Sequence, residues 1–513
     1  MRTEKKASVK NSIGRLIFVA LAVLVQAAWL IFQMMKLNEY STGITLLSSI
    51  LALVVVLRIY GGHTNAAYKM LWIMLIMAFP VLGLCLYLLL GRSSIYSWMK
   101  KRFERIDKKL DEKQIQDPEV LRALEEKDIA VANQCRYIIN YGKYPVYQNT
   151  DVVFYDDAAR GLEAQKEALR GAEKFIFMEY HAIEDEQAFD GIKQILIEKV
   201  KQGVEVRVFY DDIGSIGFIN TDFIKRMEEQ GIQCRVFNPL VPFLNVFMNN
   251  RDHRKITVVD GKVGFTGGYN LANEYFNITH PYGEWKDTGV RLEGDGVLGL
   301  TVMFLEMWNS IKETDGDYDR YLPKYEYRAR ETGYVQPYAD SPLDSEPVGE
   351  NVYMNIIKNA KHYVYFTTPY LIISDEMKRE LGLAAKRGVD VRIITPGIPD
   401  KKMVFRLTRS YYAGLVKDGV RIYEYTPGFM HAKQCVSDDQ IGVVGTINLD
   451  YRSLYLHFEN GVLLYDCQAI HELKKDFDTT MPICEEVTEK YGGERSTVLR
   501  IWQCILRLFS PLM

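Results

Sequence analysis

The chain has 513 residues, enough for roughly three domains of about 150 residues each. Its 63 Lys and Arg nearly balance 66 Asp and Glu, which excludes the basic excess of a dedicated nucleic-acid binder. Hydrophobic residues at 48% and charged residues at 25% exclude a disordered or fibrous chain, and seven widely spaced cysteines without a C-x-x-C exclude a disulfide framework or zinc knuckle.

Apolar residues concentrate in the first 90 positions. Leu16–Met35 carries no formal charge over 20 residues, about 30 Å of helix. Residues 42–60 and 70–90 repeat the theme, the latter with Pro80 near its middle. Residues 1–91 are therefore expected to form a retained multi-pass anchor of two or three hydrophobic helices (16–35, 42–60, 70–90). A cleaved signal peptide has a shorter apolar run and no further spans behind it. Basic residues flank both ends, Arg2, Lys5, Lys6, Lys10 and Arg15 before, and Arg92, Lys100, Lys101, Arg102 and Arg105 after. The positive-inside rule places both flanks, and the region that follows, in the cytoplasm; this requires an even number of crossings, with which three full spans conflict.

Residues 92–149 read as a charged, helical connector. From residue 150 short β-rich runs alternate with amphipathic helices, the pattern of an α/β protein. The runs recur. Ala172–Tyr180 has a counterpart in Ala360–Tyr370 and Gly203–Asp211 in Gly388–Pro396, separated by 185 to 188 residues, too far for a solenoid repeat. Two similar domains are expected, 150–315 and 351–490, with residues 316–350 as a linker. Within the first, a few residues before His253, Pro239–Met248 is unusually apolar, suited either to dipping into a bilayer or to a buried strand and turn. In the closing segment, 495–513, helical spacing gathers Val498, Ile501, Trp502, Ile505, Leu508 and Phe509 on one face and Arg500, Gln503 and Arg507 on another. Such a helix fits a lipid interface or the protein's own core.

One constellation occurs once per half. The first copy runs His253, Lys255, Asp260, Gly267, Gly268, Asn270; the second runs His431, Lys433, Asp438, Gly445, Thr446, Asn448. His to Asn spans 17 positions in both, although the chain holds only eight histidines. His and Lys two apart on a strand face the same way. A tight turn at Asp260 or Asp438 then sends the return strand, Val263–Thr266 or Ile441–Val444, back antiparallel, delivering Gly and Asn near the His. An imidazole, an ammonium and an amide would converge on one point, a setting for a tetrahedral anion. Joining the halves about a pseudo-twofold axis supplies two imidazoles, one to attack phosphorus and one to protonate the leaving oxygen.

The doubled His-x-Lys-x4-Asp-x6-Gly-[Gly/Ser/Thr]-x-Asn pattern, the amino-terminal spans, the Asn250–Lys255 context and the Asn448–Leu454 segment together resemble the phospholipase D superfamily and, within it, the bacterial cardiolipin synthases. The resemblance covers nearly the whole chain and implies two phospholipase D-like domains related by a pseudo-twofold axis, preceded by transmembrane helices. It implies that His253 attacks the phosphorus of a phosphatidylglycerol to form a phosphatidyl-histidine. His431 would protonate the departing glycerol and then activate the hydroxyl of a second phosphatidylglycerol, releasing cardiolipin. By the same resemblance Lys255, Lys433, Asn270 and Asn448 bind phosphate. Asp287 and Glu459, 34 and 28 residues after His253 and His431, orient the imidazoles. Asp260 and Asp438 complete the catalytic motif, although their turn positions suit a structural role. Neither metal nor other cofactor is implied, since two lysines supply the positive charge. The partners implied are phosphatidylglycerol, cardiolipin and the cell membrane, without nucleic acid, and an oligomer is compatible with the pattern. A hydrolytic phospholipase D, a nuclease of the same superfamily and an inactive membrane scaffold are the rival readings.

Overall fold

The computed structural model describes residues 14–29, 32, 42–62, 65–90, 97–240, 249–323, 325–344, 346–493 and 497–510. Most of Pro239–Met248, the start of the chain and the last three residues lie outside them.

Two mixed sheets carry the body. The first has the strand order Thr150–Tyr155, Gly289–Gly294, Val263–Gly267, Lys255–Val259, Phe175–Tyr180, Glu205–Asp211, Gln233–Phe237. The second repeats it with Tyr334–Asp340, His457–Tyr465, Ile441–Gly445, Gln434–Ser437, Tyr363–Thr367, Asp390–Pro396, Arg421–Tyr425, and adds Cys484–Glu486 at its edge. Three neighbouring strands in each half run parallel. The first of them, Phe175–Tyr180, is buried at every position, as a strand covered on both faces must be. The motif strands return antiparallel as the spacing predicts, Ile256 opposite Thr266 and Gln434 opposite Val444. Their turns pass through left-handed backbone at Asp260 (φ 54°) and Gly261, and at Asp438 (φ 54°) and Asp439.

The expected linker at 316–350 is corrected in part. Tyr334–Asp340 is the edge strand of the second sheet, paired antiparallel with His457–Tyr465, and Val348–Asn359 is a helix. Tyr334, Val335 and Tyr338 are buried there, so packing overrides a composition that reads as a connector. The helix Val297–Ile311 is buried along almost its whole length, because it is apolar on every side. Phe304 stacks on Phe177 with ring centroids 4.4 Å apart. The helix also touches the Tyr334–Asp340 strand, and one hydrophobic core runs continuously through both halves.

Among the described residues, no helix is long and apolar enough to cross a membrane. The amino-terminal region contains α1 (residues 14–29), α2 (Thr42–Tyr60), α3 (Ala66–Ala78), α4 (Pro80–Leu90) and α5 (Ser97–Asp111). The expected helix 70–90 is two helices. Proline lacks an N–H and clashes with the carbonyl four residues back, so Phe79 leaves helical geometry (φ −138°, ψ 79°) and Pro80 opens α4. The chain folds back on itself. The Trp72 and Tyr87 rings lie 5.3 Å apart, and a Cβ on Gly83 would fall 2.5 Å from the Ile76 Cα, so only glycine permits the approach.

Contacts at α1, ahead of α3 and at α5 tie these helices to the body. Arg15 pairs with Asp212 at 2.6 Å at the start of α1, Asn65 donates to the Tyr455 hydroxyl at 3.1 Å ahead of α3, and Arg102 of α5 donates to the Ser310 and Ile311 carbonyls. At the other end of the chain, the helix Thr497–Leu508 docks by one edge. Leu506 is buried and the Arg507 Nε donates to Ser410, while Ile501, Trp502, Ile505 and Phe509 stay exposed.

Candidate active site

The two motif histidines stand outside the strand ladders that the alternation argument put them in. The ladders begin at Lys255 and Gln434, two and three residues later. The reason lies across the domain boundary. Arg251–Asp252 pairs parallel with His457–Phe458, and Gly428–Met430 pairs parallel with Glu284–Lys286. The His253 N–H donates to the Phe458 carbonyl at 2.9 Å and the His431 N–H to the Lys286 carbonyl at 2.8 Å. Each histidine is thus held by the opposite half, and the two crossings are equivalent under the pseudo-twofold.

The acids complete the crossing. His253 Nδ1 sits 2.9 and 3.0 Å from the two Glu459 carboxylate oxygens, and His431 Nδ1 sits 2.6 Å from Asp287 Oδ2. Asp287 and Glu459 are the acids expected, but each serves the histidine of the other half rather than its own. A carboxylate only accepts, so Nδ1 carries the proton in both rings and Nε2 keeps its lone pair. Thr446 Oγ1 donates to Glu459 Oε2 at 2.5 Å. In the equivalent place Gly268 leaves room for Asp287, whose Oδ1 would lie 2.0 Å from a Cβ there.

Lys255 and Lys433 are buried and donate to the carbonyls of His253 and His431. Burial pushes their ammonium groups down, Lys255 to about 8 and Lys433 to about 7. Burial also lowers His431 to about 3, with Lys433 adding to it, and holds His253 well below the usual imidazole range. At Asp287, burial is outweighed by the neighbouring His431 and Lys433, and the carboxyl is lowered. Burial thus makes positive charge on the two lysines costly even beside the Asp287 and Glu459 carboxylates, and an incoming phosphodiester would favour their charged forms.

The amides differ. Asn270 Oδ1 accepts from the Ala182 N–H at 3.0 Å and its Nδ2 donates to the Tyr275 hydroxyl at 2.8 Å, so this amide already holds the pocket wall together. Asn448 Oδ1 is buried without a partner. Asp260 and Asp438 do not reach the pocket. Asp260 accepts from the backbone N–H groups of Glu173, Lys174 and Phe175, and Asp438 from those of Lys361, His362 and Tyr363, all within 2.7–2.9 Å. Their place in the catalytic set is corrected: each pins the start of the adjacent parallel strand to the motif turn.

Several neighbours escaped sequence reasoning. His431 is ringed by Tyr275, Trp285 and Phe429, with centroids 5.2, 5.0 and 5.8 Å away. His253 is instead flanked by imidazoles, His181 at 4.9 Å and His457 at 5.5 Å. Trp285 and His457 each stand two residues before an acid, and that shared offset was the available signal. His253, His457 and Glu459 bring potential metal-ligand atoms within 4.8 Å of one another. Those atoms are largely committed already, His253 to Glu459, and His457 Nε2 to the Arg452 guanidinium at 3.2 Å.

Comparison with known proteins points one way. The cardiolipin synthase PLD-like domain matches residues 166–282 and 353–481, and the phospholipase D-nuclease N-terminal domain matches residues 48–92. A cardiolipin synthase of Halalkalibacterium halodurans is 30% identical over 98% of this chain and 100% of its own length. An uncharacterized protein of Streptococcus mutans is 41% identical over 89% of this chain and 99% of its own. The crystal structure of phosphatidylserine synthase from Haemophilus influenzae superposes with a TM-score of 0.54 at 16% identity, over 74% of this chain and 99% of that one, a likeness of fold.

Proposed function

The chain belongs to the cardiolipin synthase family of phospholipase D-like phosphatidyltransferases, and on that premise we propose that it joins two phosphatidylglycerol molecules into cardiolipin and glycerol by two displacements at one pocket. The observation that carries the reading is the pair of crossed His–carboxylate contacts, each presenting an unprotonated Nε2 beside a buried lysine.

His253 Nε2 attacks phosphorus; the phosphatidyl group passes to the ring and the bond to the glycerol oxygen breaks. His431, protonated once the phosphodiester charge is beside it, gives its Nε2 proton to that oxygen. Neutral again, His431 takes the proton of the second phosphatidylglycerol hydroxyl, whose oxygen attacks phosphorus and returns His253 to its starting state. Lys255 and Lys433 stabilise the charge on the non-bridging oxygens through both steps. Any contact of Asn448 with phosphate would be made by its Nδ2 N–H, because the unpartnered Oδ1 is itself an acceptor.

On this reading the segments 16–35 and 42–60 are the crossings and the α3–α4 hairpin is re-entrant, although no described helix is by itself long and apolar enough to span. Two crossings leave both basic flanks on one side, with the body at the cytoplasmic face. The exposed Ile501, Trp502, Ile505 and Phe509 of the last helix would rest in the lipid interface.

Purified full-length protein in phosphatidylglycerol vesicles is expected to release cardiolipin and glycerol in equal amounts, and His253→Ala and His431→Ala to abolish release. Phosphatidic acid without cardiolipin would replace this reading with hydrolysis. Unchanged cellular lipids in either variant would indicate a scaffold.

A further inference from the structure

His181 lies outside the doubled motif. It follows the buried strand Phe175–Tyr180, and its ring meets that of His253 edge to face, with centroids 4.9 Å apart. The register gives its counterpart in the second half. Tyr180 stands opposite Lys255, and Thr367 stands opposite Gln434, so Pro369 occupies the place of His181. The imidazole is thus an addition on one side of a pseudo-symmetric pocket.

The ring is held in one orientation. Its Nδ1 lies 2.7 Å from the Asp252 carbonyl oxygen, and because a carbonyl only accepts, Nδ1 carries the proton and Nε2 the lone pair. Gly214 lies against the ring: a Cβ there would fall 2.2 Å from the His181 carbonyl oxygen and 2.8 Å from two ring carbons. The side chain is 20% exposed, and Nε2 has no hydrogen-bond partner among the described residues. Burial and nearby Lys255 keep the imidazole neutral, with its titration well below the usual range.

Most acceptors around it are engaged or face cations, Asp252 Oδ2 and His457 Nδ1 excepted. Lys255 and Lys433 donate. The Asp211 carboxylate is taken by Arg251, and Asp252 faces Arg254. His457 Nε2 is occupied by Arg452. A glycerol headgroup brings a secondary hydroxyl that must donate to something when it leaves water, and a short carbon spacer separates that hydroxyl from phosphorus. This reach matches the spacing of the His181 and His253 rings. Building on the cardiolipin synthase reading, we infer that His181 Nε2 accepts a hydrogen bond from the secondary hydroxyl of the phosphatidylglycerol headgroup and is a specificity-determining residue for polyol headgroups.

The test compares phosphatidylglycerol with phosphatidyl-1,3-propanediol, which keeps the reacting primary hydroxyl and lacks the secondary one, using full-length protein in vesicles. Wild type is expected to favour phosphatidylglycerol by roughly tenfold in kcat/KM, the effect of one well-made hydrogen bond. His181→Phe, which keeps a flat ring without the acceptor, should bring that ratio to about one, and His181→Gln, whose carbonyl oxygen can accept, should recover part of it. Gly214→Ala, which displaces the ring, should mimic His181→Phe and add nothing to it in the double variant. A wild-type ratio near one, or a His181→Phe ratio equal to wild type, overturns the inference. If His181→Phe does not fold, the Gly214→Ala ratio decides, and one equal to wild type overturns it. Wild type that makes no cardiolipin from phosphatidylglycerol would instead overturn the reading on which the inference rests.

Discussion

At the level of single residues, the chemistry depends on which nitrogen of each imidazole holds the proton. Glu459 fixes this for His253 and Asp287 for His431, each from the other half of the body. Glu459→Gln is therefore expected to slow formation of the phosphatidyl-enzyme, and Asp287→Asn to slow both that step, in which the alcohol departs, and transfer to the second alcohol, each by about ten-thousandfold in turnover, as when a triad carboxylate is lost. Quench-flow trapping of labelled phosphatidyl on the protein separates the two; pairing within halves would exchange the results. The lysines set the pH response. Both ammonium groups are depressed, to about 8 and about 7, so positive charge in the free enzyme drains away as pH rises through that window. Phosphate binding weakens with it, and kcat/KM on vesicles should fall on the alkaline side between about pH 7 and 9. A flat profile to pH 10 would mean that the lysines keep their usual affinity for protons.

At the level of elements, the motif combines two tasks that its sequence does not separate. His and Lys face the pocket, whereas Asp260 and Asp438 close the turn at the far end of the strand, each accepting three backbone N–H groups. Asp260→Ala strands those donors beside a left-handed residue and should cost about 3 kcal/mol of stability. The melting temperature falls while turnover per folded molecule is kept, which calorimetry alongside a vesicle assay would show. Loss of turnover at full stability would return Asp260 to the catalytic set. Pro80 acts at the same scale. It turns an expected single helix into the α3–α4 hairpin, sealed by Gly83 against Ile76 and by Trp72 against Tyr87.

For the molecule as a whole, the proposed re-entrant α3–α4 hairpin would remove the parity conflict between the basic flanks and three apolar segments. Arg15 at the start of α1, Asn65 before α3 and Arg102 in α5 all touch the body, so the chain returns to the body after each apolar excursion. In a cysteine-free background, Asn38→Cys should react with a membrane-impermeant maleimide from outside intact cells, and Ser94→Cys only after permeabilisation. Outside labelling of Ser94→Cys would require a third crossing.

The sequence by itself determined the duplication, the α/β alternation and the two histidine motifs, whereas Asp287 and Glu459 as partners of the imidazoles were implied by the family resemblance. The first three are properties of spacing and side-chain type, which are local and survive without coordinates. Which acid meets which histidine was not legible, because the crossing is made by backbone bonds between residues far apart in the chain, His253 to Phe458 and its pseudo-twofold counterpart, His431 to Lys286. Nor was the unequal surrounding of the two rings, aromatic about His431 and imidazole about His253. Side chains from separate segments build each wall, and only the docking of the two sheets around one continuous core brings them together.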